Sequence, residues 1–366
     1  MRVPMKLPIR QDGFTLIEVM VSTVVALFAT LAIMQSFAVS EGYRRTATSG
    51  GDASFSGSLG TFVMDQDLRM AGYGINTAAY LGCNVSGSDS GVIPTAAINF
   101  TLAPVLINPG ATAQTPDSVT IVSSGTSMMP GAINLTTALA APTSDYVVTG
   151  AYGVIQGDVL LLAQAGQPCT LAEATNTPTA GATNQNTIKH AVARYNPIGG
   201  LGPLYGTSAV VMDLGPVPTA NTYRIQNNPA LANFDSLVVD QLISDQFARP
   251  VAGNVVQLKA LYGKSSIGNG IVDTWDTILP ATPAAWANVL AVRIALVARS
   301  AQPEKPNPAT GLCVTTTAAP SVTWDDGTVT ALDVSATAPT GPAWQCYRYR
   351  VFHATSSLRN LIWTPS

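Results

Sequence analysis

The stretch Gly13-Phe14-Thr15-Leu16-Ile17-Glu18-Val19 opens a run that carries no further charge until Glu41. A single carboxylate therefore stands at the front edge of an apolar segment. Near the centre of a membrane helix an acidic or basic residue costs about 2.5–3.5 kcal/mol on insertion scales, so Glu18 calls for a partner charge. Cleavage of the peptide bond after Gly13 would create one, because Phe14 would gain a free amine one helical turn from the Glu18 carboxylate. The segment from Phe14 to Ser40 contains no proline. At about 1.5 Å per residue a helix of that length reaches roughly 40 Å, enough to cross a hydrocarbon core of about 30 Å.

Residues 1–13 ahead of this segment carry Arg2, Lys6 and Arg10, with Asp12 beside the proposed cut. A secretory signal peptide is cut after its apolar region, which leaves with it. Here the cut would fall before the apolar region, so the helix would stay on the mature chain. Basic residues before the segment and a bulky polar remainder after it fit the positive-inside rule. The N-terminus is expected in the cytoplasm and the chain beyond about Glu41 in the periplasm.

Taken together, the basic leader ending in Gly13, the Phe14-Thr15-Leu16-Ile17-Glu18 block and the apolar helix resemble the type IV prepilin signature. Asp12 departs from it, since Lys or Arg more often precedes the glycine. The resemblance implies an inner-membrane prepilin peptidase that cuts between Gly13 and Phe14 and methylates the Phe14 amine. It also implies that Glu18 serves charge pairing during assembly.

Composition points the same way. Charged residues make up 11% of 366, while Gly and Pro number 31 and 25, the texture of an exported, loop-rich β protein rather than a cytosolic enzyme. A net charge of −3 with scattered basic residues gives no ground for a nucleic-acid partner. The four cysteines, Cys83, Cys169, Cys313 and Cys346, form no CxxC or Cys/His pattern of a zinc site. In an oxidising compartment an even count favours disulfides. Three connectivities are open; pairing Cys313–Cys346 with Cys83–Cys169 is favoured, because the first pair brackets a candidate hairpin-and-loop unit. Free buried thiols are the alternative.

Along the chain, residues 41–74 read as a more polar continuation of the first helix. Phe55, Leu59, Phe62 and Val63 recur at helical spacing, Gly50-Gly51 would bend or melt a turn, and Gly72 and Gly74 suit a left-handed cap. From 75 to 366 the pattern is β-like. Candidate strands are 118–123, 146–149, 158–163, 223–226, 255–262, 290–299, 322–324 and 346–352, while 235–247 reads as a short helix or another strand. Leu290, Val292, Ile294 and Leu296 alternate with Ala291, Arg293, Ala295 and Val297, as in a half-covered antiparallel strand. The stretches 84–116, 170–190 and 300–345 read as long surface loops. The expected fold is α+β: a leader (1–13), a membrane and assembly helix (14–40), its polar continuation (41–74), and a β-rich periplasmic pilin head (75–366).

Several scattered motifs are similar to the PilW type of minor pilin. They are Asp67-Leu68-Arg69 with Ala71-Gly72-Tyr73-Gly74, Gly157-Asp158-Val159-Leu160-Leu161, Val255 to Tyr262 followed by Trp275, Val292 to Val297, and Tyr349-Arg350 leading to Leu358-Arg359-Asn360-Leu361. The resemblance implies other minor pilins, the major pilin and the inner-membrane assembly platform as partners, and a place in the tip complex that primes polymerisation. A minor pseudopilin of type II secretion, GspJ-like, and a tip adhesin module are the alternatives.

Catalytic chemistry is not expected. His190 and His353 are the two histidines, and neither has a nucleophile or carboxylate constellation in sequence. No GxSxG, HExxH or Walker A pattern occurs, and no cofactor or metal is expected. The loop Tyr262–Trp275 has an Asn-Gly and a following Asp but too few oxygen ligands for calcium, so a hairpin turn at Asn269-Gly270 is the better reading. Asp117, Asp145, Asp158 and Asp235 read as turn or cap residues.

Overall fold

A computed structural model describes residues 13–75, 77–126, 131–200, 202–228, 230–231, 234–307, 309–335 and 343–362. The chain divides into two compact units, Met1–Gly51 and Asp52–Ser366. Helix α1, Leu16–Met70, stays helical through Gly50-Gly51, so no turn is melted there. Two glycines cost roughly 2 kcal/mol against alanine, which a helix of 55 residues absorbs. Within the first unit, Leu16–Arg44 has a mean hydropathy of 2.3 and is long and apolar enough to cross a membrane.

In the second unit, the end of α1 packs on two of three large antiparallel-rich sheets. The five-stranded sheet runs in the order Gln246–Gly253, Ser236–Gln241, Thr219–Gln226, Ser118–Ser123, Val105–Asn108. The four-stranded sheet orders Thr274–Asp276, Val255–Lys264, Val289–Arg299, Tyr349–Ser357. The six-stranded sheet orders Ala96–Thr101, Asn84–Asp89, Cys169–Glu173, Val159–Ala163, Val210–Asp213, Ala132–Asn134. One of its ladders, Val85 opposite Cys169 and Ser86 opposite Thr170, is parallel.

The helix buries Ala53, Gly57, Gly60, Met64 and Leu68, with Ala71 just past its end, spaced three and four apart as one helical face requires. Met64 and Leu68 join Ile107, Ile121, Tyr223, Leu237, Ile294 and Leu296 in the main core. Gly57 lets the backbone approach the sheet: a Cβ there would stand 2.1 Å from the Phe352 ring. This face differs from the expected one. Phe55 and Phe62 are exposed, and Leu59 and Val63 only half-buried. Apolar spacing marked a real helical stripe, but small residues line the contact because two sheets come close to the helix axis there. The helix ends as expected, with Gly72 at φ +78° in the left-handed region.

Three other expectations need correction. The 84–116 stretch holds three strands and 170–190 contains strand Cys169–Glu173 with Thr187–Ile188, so neither is a simple loop. Residues 235–247, left open between helix and strand, form strand Ser236–Gln241, a turn and the start of strand Gln246–Gly253. Strand Val289–Arg299 is buried on both faces. Its second face is covered by Val322, Trp324, Leu332 and Val334, so the irregular 300–345 segment forms a small core of its own rather than lying only at the surface.

Arg293 is drawn into that second core by specific partners. Its guanidinium lies 3.8 Å from the Trp275 ring centroid, and its Nη1 donates to Asp326 Oδ2 at 2.8 Å. The Thr328 hydroxyl and amide also donate to Asp326 Oδ1, at 2.6 and 2.9 Å. These Thr328 bonds, with Arg293 behind them, hold the Asp326 carboxyl down at about 2. An unfolded Asp titrates near ~3.9, so Asp326 contributes stability above that pH and loses it as pH falls from about 4 to about 2. Replacing Asp326 by Asn should therefore flatten the acid limb of the melting temperature measured between pH 4 and 2. An identical limb in both proteins would refute this role.

Candidate functional site

The N-terminal segment is built by a reciprocal capping box, a signal present in the sequence as Thr15-x-x-Glu18 but overlooked behind the charge argument. Glu18 N–H donates to Thr15 Oγ1 at 3.3 Å, and Glu18 Oε2 accepts from the Thr15 amide and hydroxyl, both at 3.0 Å. The box starts α1 at Leu16 and leaves Gly13, Phe14 and Thr15 outside the helix. The Gly13–Phe14 bond is thereby presented in non-helical chain, with the Phe14 side chain 86% exposed. Glu18 accepts from the Thr15 amide at the N-cap, so its carboxylate has a local role before any amine exists. Leader residues Met1 to Asp12, including Arg2, Lys6, Arg10 and Asp12, lie outside the described residues.

A second cluster fixes the end of α1 to the head. Asp67 Oδ2 accepts from Asn221 Nδ2 at 2.9 Å and from the Tyr223 hydroxyl at 2.7 Å. Burial, and then the Asp67 charge, push the Tyr223 phenol far up, which keeps it a donor. Asp65 accepts from Ser356 and pairs with Arg69 at 2.8 Å. From the far end of the chain, Asn360 Nδ2 donates to the Met70 and Ala71 carbonyls at 3.3 and 3.0 Å, satisfying helix-end acceptors. The separated motifs Asp67-Leu68-Arg69 and Leu358-Arg359-Asn360 thus form one latch.

The cysteines pair as Cys83–Cys169 and Cys313–Cys346, the favoured connectivity. His190 Nε2 lies 2.7 Å from the Ser144 carbonyl and the ring stacks on Tyr146 at 4.0 Å. His353, in strand Tyr349–Ser357, meets the Trp324 ring edge-on at 5.6 Å. In the 262–275 loop, Asp273 accepts from the Ser266 amide and hydroxyl. Lys264 stands opposite Thr274, so the hairpin closes through nine residues, 265–273, rather than a two-residue turn. Asp158 accepts from the Ile155 amide at 2.8 Å, a turn role. Asp117 does more than turn the chain: it accepts from Gly110 and Ala260 amides and pairs with Lys259 at 2.9 Å. Asp235, at φ +54°, pairs with Arg299.

Comparison with known families gives two matches. Residues 222–360 match the family Type IV Pilus-assembly protein W, PilW, and residues 9–34 match the prokaryotic N-terminal methylation motif. No curated protein matches. A solved type IV-like pilin from Thermus thermophilus is similar at 13% identity over 58% of this chain and 88% of its own, with a TM-score of 0.23; a superposition that loose adds nothing to the assignment. An apolar N-terminal helix with the methylation motif, followed by a β-rich head, defines the class of type IV pilin-like proteins. This chain combines that motif with a PilW domain in the C-terminal part of its head, and is in both respects similar to the PilW-like type IV minor pilins. It is anchored to a membrane through the N-terminal helix.

Proposed function

We propose that this minor pilin acts at the start of type IV pilus assembly, in a tip complex with other minor pilins. Prepilin peptidase cuts between Gly13 and Phe14 and methylates the new amine. The chain then waits in the inner membrane with its head in the periplasm. On extraction by the assembly platform, the apolar helix exchanges lipid for the helices of neighbouring pilins, which keeps it from water throughout. Glu18 pairs with a Phe14 ammonium, its own or a neighbour's. Misregister would leave a buried unpaired ion, at about 3–5 kcal/mol. The reading makes the chain a structural assembly factor rather than an enzyme. It is carried by one observation, the joint presence of the methylation motif and the PilW domain in a single chain. The PilW match also favours it over a type II secretion pseudopilin.

The test is a deletion strain complemented with wild-type or Glu18→Ala protein, scored for surface pili and twitching. The intact mass of the mature N-terminus is read in parallel. The wild-type protein should restore pili and show cleavage after Gly13 with one added methyl, and Glu18→Ala should restore few or none. Normal pili with defective protein secretion would replace this reading with the pseudopilin. An uncleaved N-terminus would overturn both.

A further inference from the structure

Beyond assembly, we propose that the head carries a binding site for a neutral carbohydrate, in the groove between its five- and six-stranded sheets. The groove arises because two consecutive strands, Ala96–Thr101 and Val105–Asn108, belong to different sheets and are edge strands of each. Where they diverge, a cavity of about 510 Å³ opens, within the range of small-ligand sites.

Its lining selects the ligand. None of the side chains around the groove is ionisable. A charged ligand would lose hydration there without gaining a counter-charge. Asn84, Asn99 and Asn108 project exposed amides at its rim, and among the described residues these side chains have no hydrogen-bond partner. Each amide offers two donors and an acceptor. On the floor, Leu106, Thr120 and Thr222 stand directly opposite one another across three strands. The two threonine hydroxyls bond each other at 2.8 Å. One O–H is used in that bond, which leaves the second hydroxyl with a hydrogen to donate, although Thr120 is only 4% exposed. Leu106 adds an apolar patch beside these hydroxyls.

Paired donors and acceptors without charge, over a partly apolar floor, match a pyranose. Its hydroxyls each donate and accept, and its C–H face is apolar. A protein segment held by edge pairing would instead rely on its main chain, with side-chain pockets at alternate positions.

The experiment uses full-length protein in a detergent whose head group is not a sugar, probed with an array of neutral mono- to tetrasaccharides. Hits are titrated calorimetrically against wild type, Asn99→Ala and Thr222→Val. At least one neutral saccharide should bind, and each substitution should weaken it about 3- to 10-fold, the worth of one hydrogen bond, with the melting temperature and surface piliation retained. Asn99 is exposed, so its variant reports on binding even where Thr222→Val perturbs folding. Absence of any neutral hit, binding only of sialylated or sulfated glycans, or variants that bind like wild type would each overturn the site. Loss of pili from folded groove variants would overturn it too, marking the groove as a contact between pilins and leaving the assembly reading intact.

Discussion

Replacing Cys83 and Cys169 together by alanine should lower the unfolding free energy of the head by about 4–5 kcal/mol, more than the same change at Cys313 and Cys346. In the chain-entropy account, the stabilisation grows with the length of chain that a disulfide closes. The separations are 86 and 33 residues, which correspond to about 4.6 and about 3.7 kcal/mol. Packing widens the gap. Cys169 is fully buried in the core of the six-stranded sheet. Cys169 and Thr170 themselves form the short parallel ladder of two residue pairs, with Val85 and Ser86, that joins Asn84–Asp89 to Cys169–Glu173. A ladder that short closes a long loop for few hydrogen bonds, so the covalent link does most of the holding. Cys313, by contrast, joins an irregular segment to the 3-10 turn Trp344–Cys346. Urea unfolding of the two double variants, followed by tryptophan fluorescence, measures the order. A larger loss from Cys313/Cys346 would mean that the six-stranded sheet holds itself together without the link.

What was legible in the sequence follows the strength of local signals. The N-terminal helix was legible because the run from Val19 to Ser40 carries no charge and no proline and is long enough to span a bilayer core. The Phe14 block carried the family. Strand Ser118–Ser123 falls where its β-branched run predicts, and Tyr349–Ser357 was caught only at its start. Strand Asn84–Asp89, sequence Asn-Val-Ser-Gly-Ser-Asp, was invisible because every residue except Val85 disfavours or is indifferent to strand. Burial of alternate side chains, with pairing to Ala96–Thr101 along six residues, overrides that preference. Sites assembled from distant segments were hidden for a different reason. The latch brings Asp67 to Asn221 and Tyr223, and Asn360 to the end of α1, and no spacing rule relates residues so far apart. The carbohydrate groove draws on strands from 84 to 222, and its polar lining looks in sequence like ordinary loop composition. Glu18 shows the remaining gap: charge reasoning singled it out, while its capping bond to Thr15 needed only a three-residue count.

The last prediction separates the two faces of α1 in the head. Leu68→Ala should destabilise the head by about 3–5 kcal/mol, whereas Phe55→Ala and Phe62→Ala should each change it by less than about 0.5 kcal/mol. Leu68 is fully buried among residues of both sheets that meet the helix. Truncating it leaves a cavity between a helix and two sheets that are pinned by the Asp67 and Asn360 bonds and by the close approach at Gly57, so little collapse can refill it. The cost then lies toward the upper end for a buried leucine. Phe55 and Phe62 are the larger and more hydrophobic residues, and the apolar spacing of the sequence favours them as the contact face. Yet they are 72% and 66% exposed, and removing an exposed ring returns little buried area to water. Thermal melts of the three variants in the same detergent decide the matter. A Phe55→Ala or Phe62→Ala loss comparable to that of Leu68→Ala would place the phenylalanine stripe against the sheets and refute the helix orientation described above.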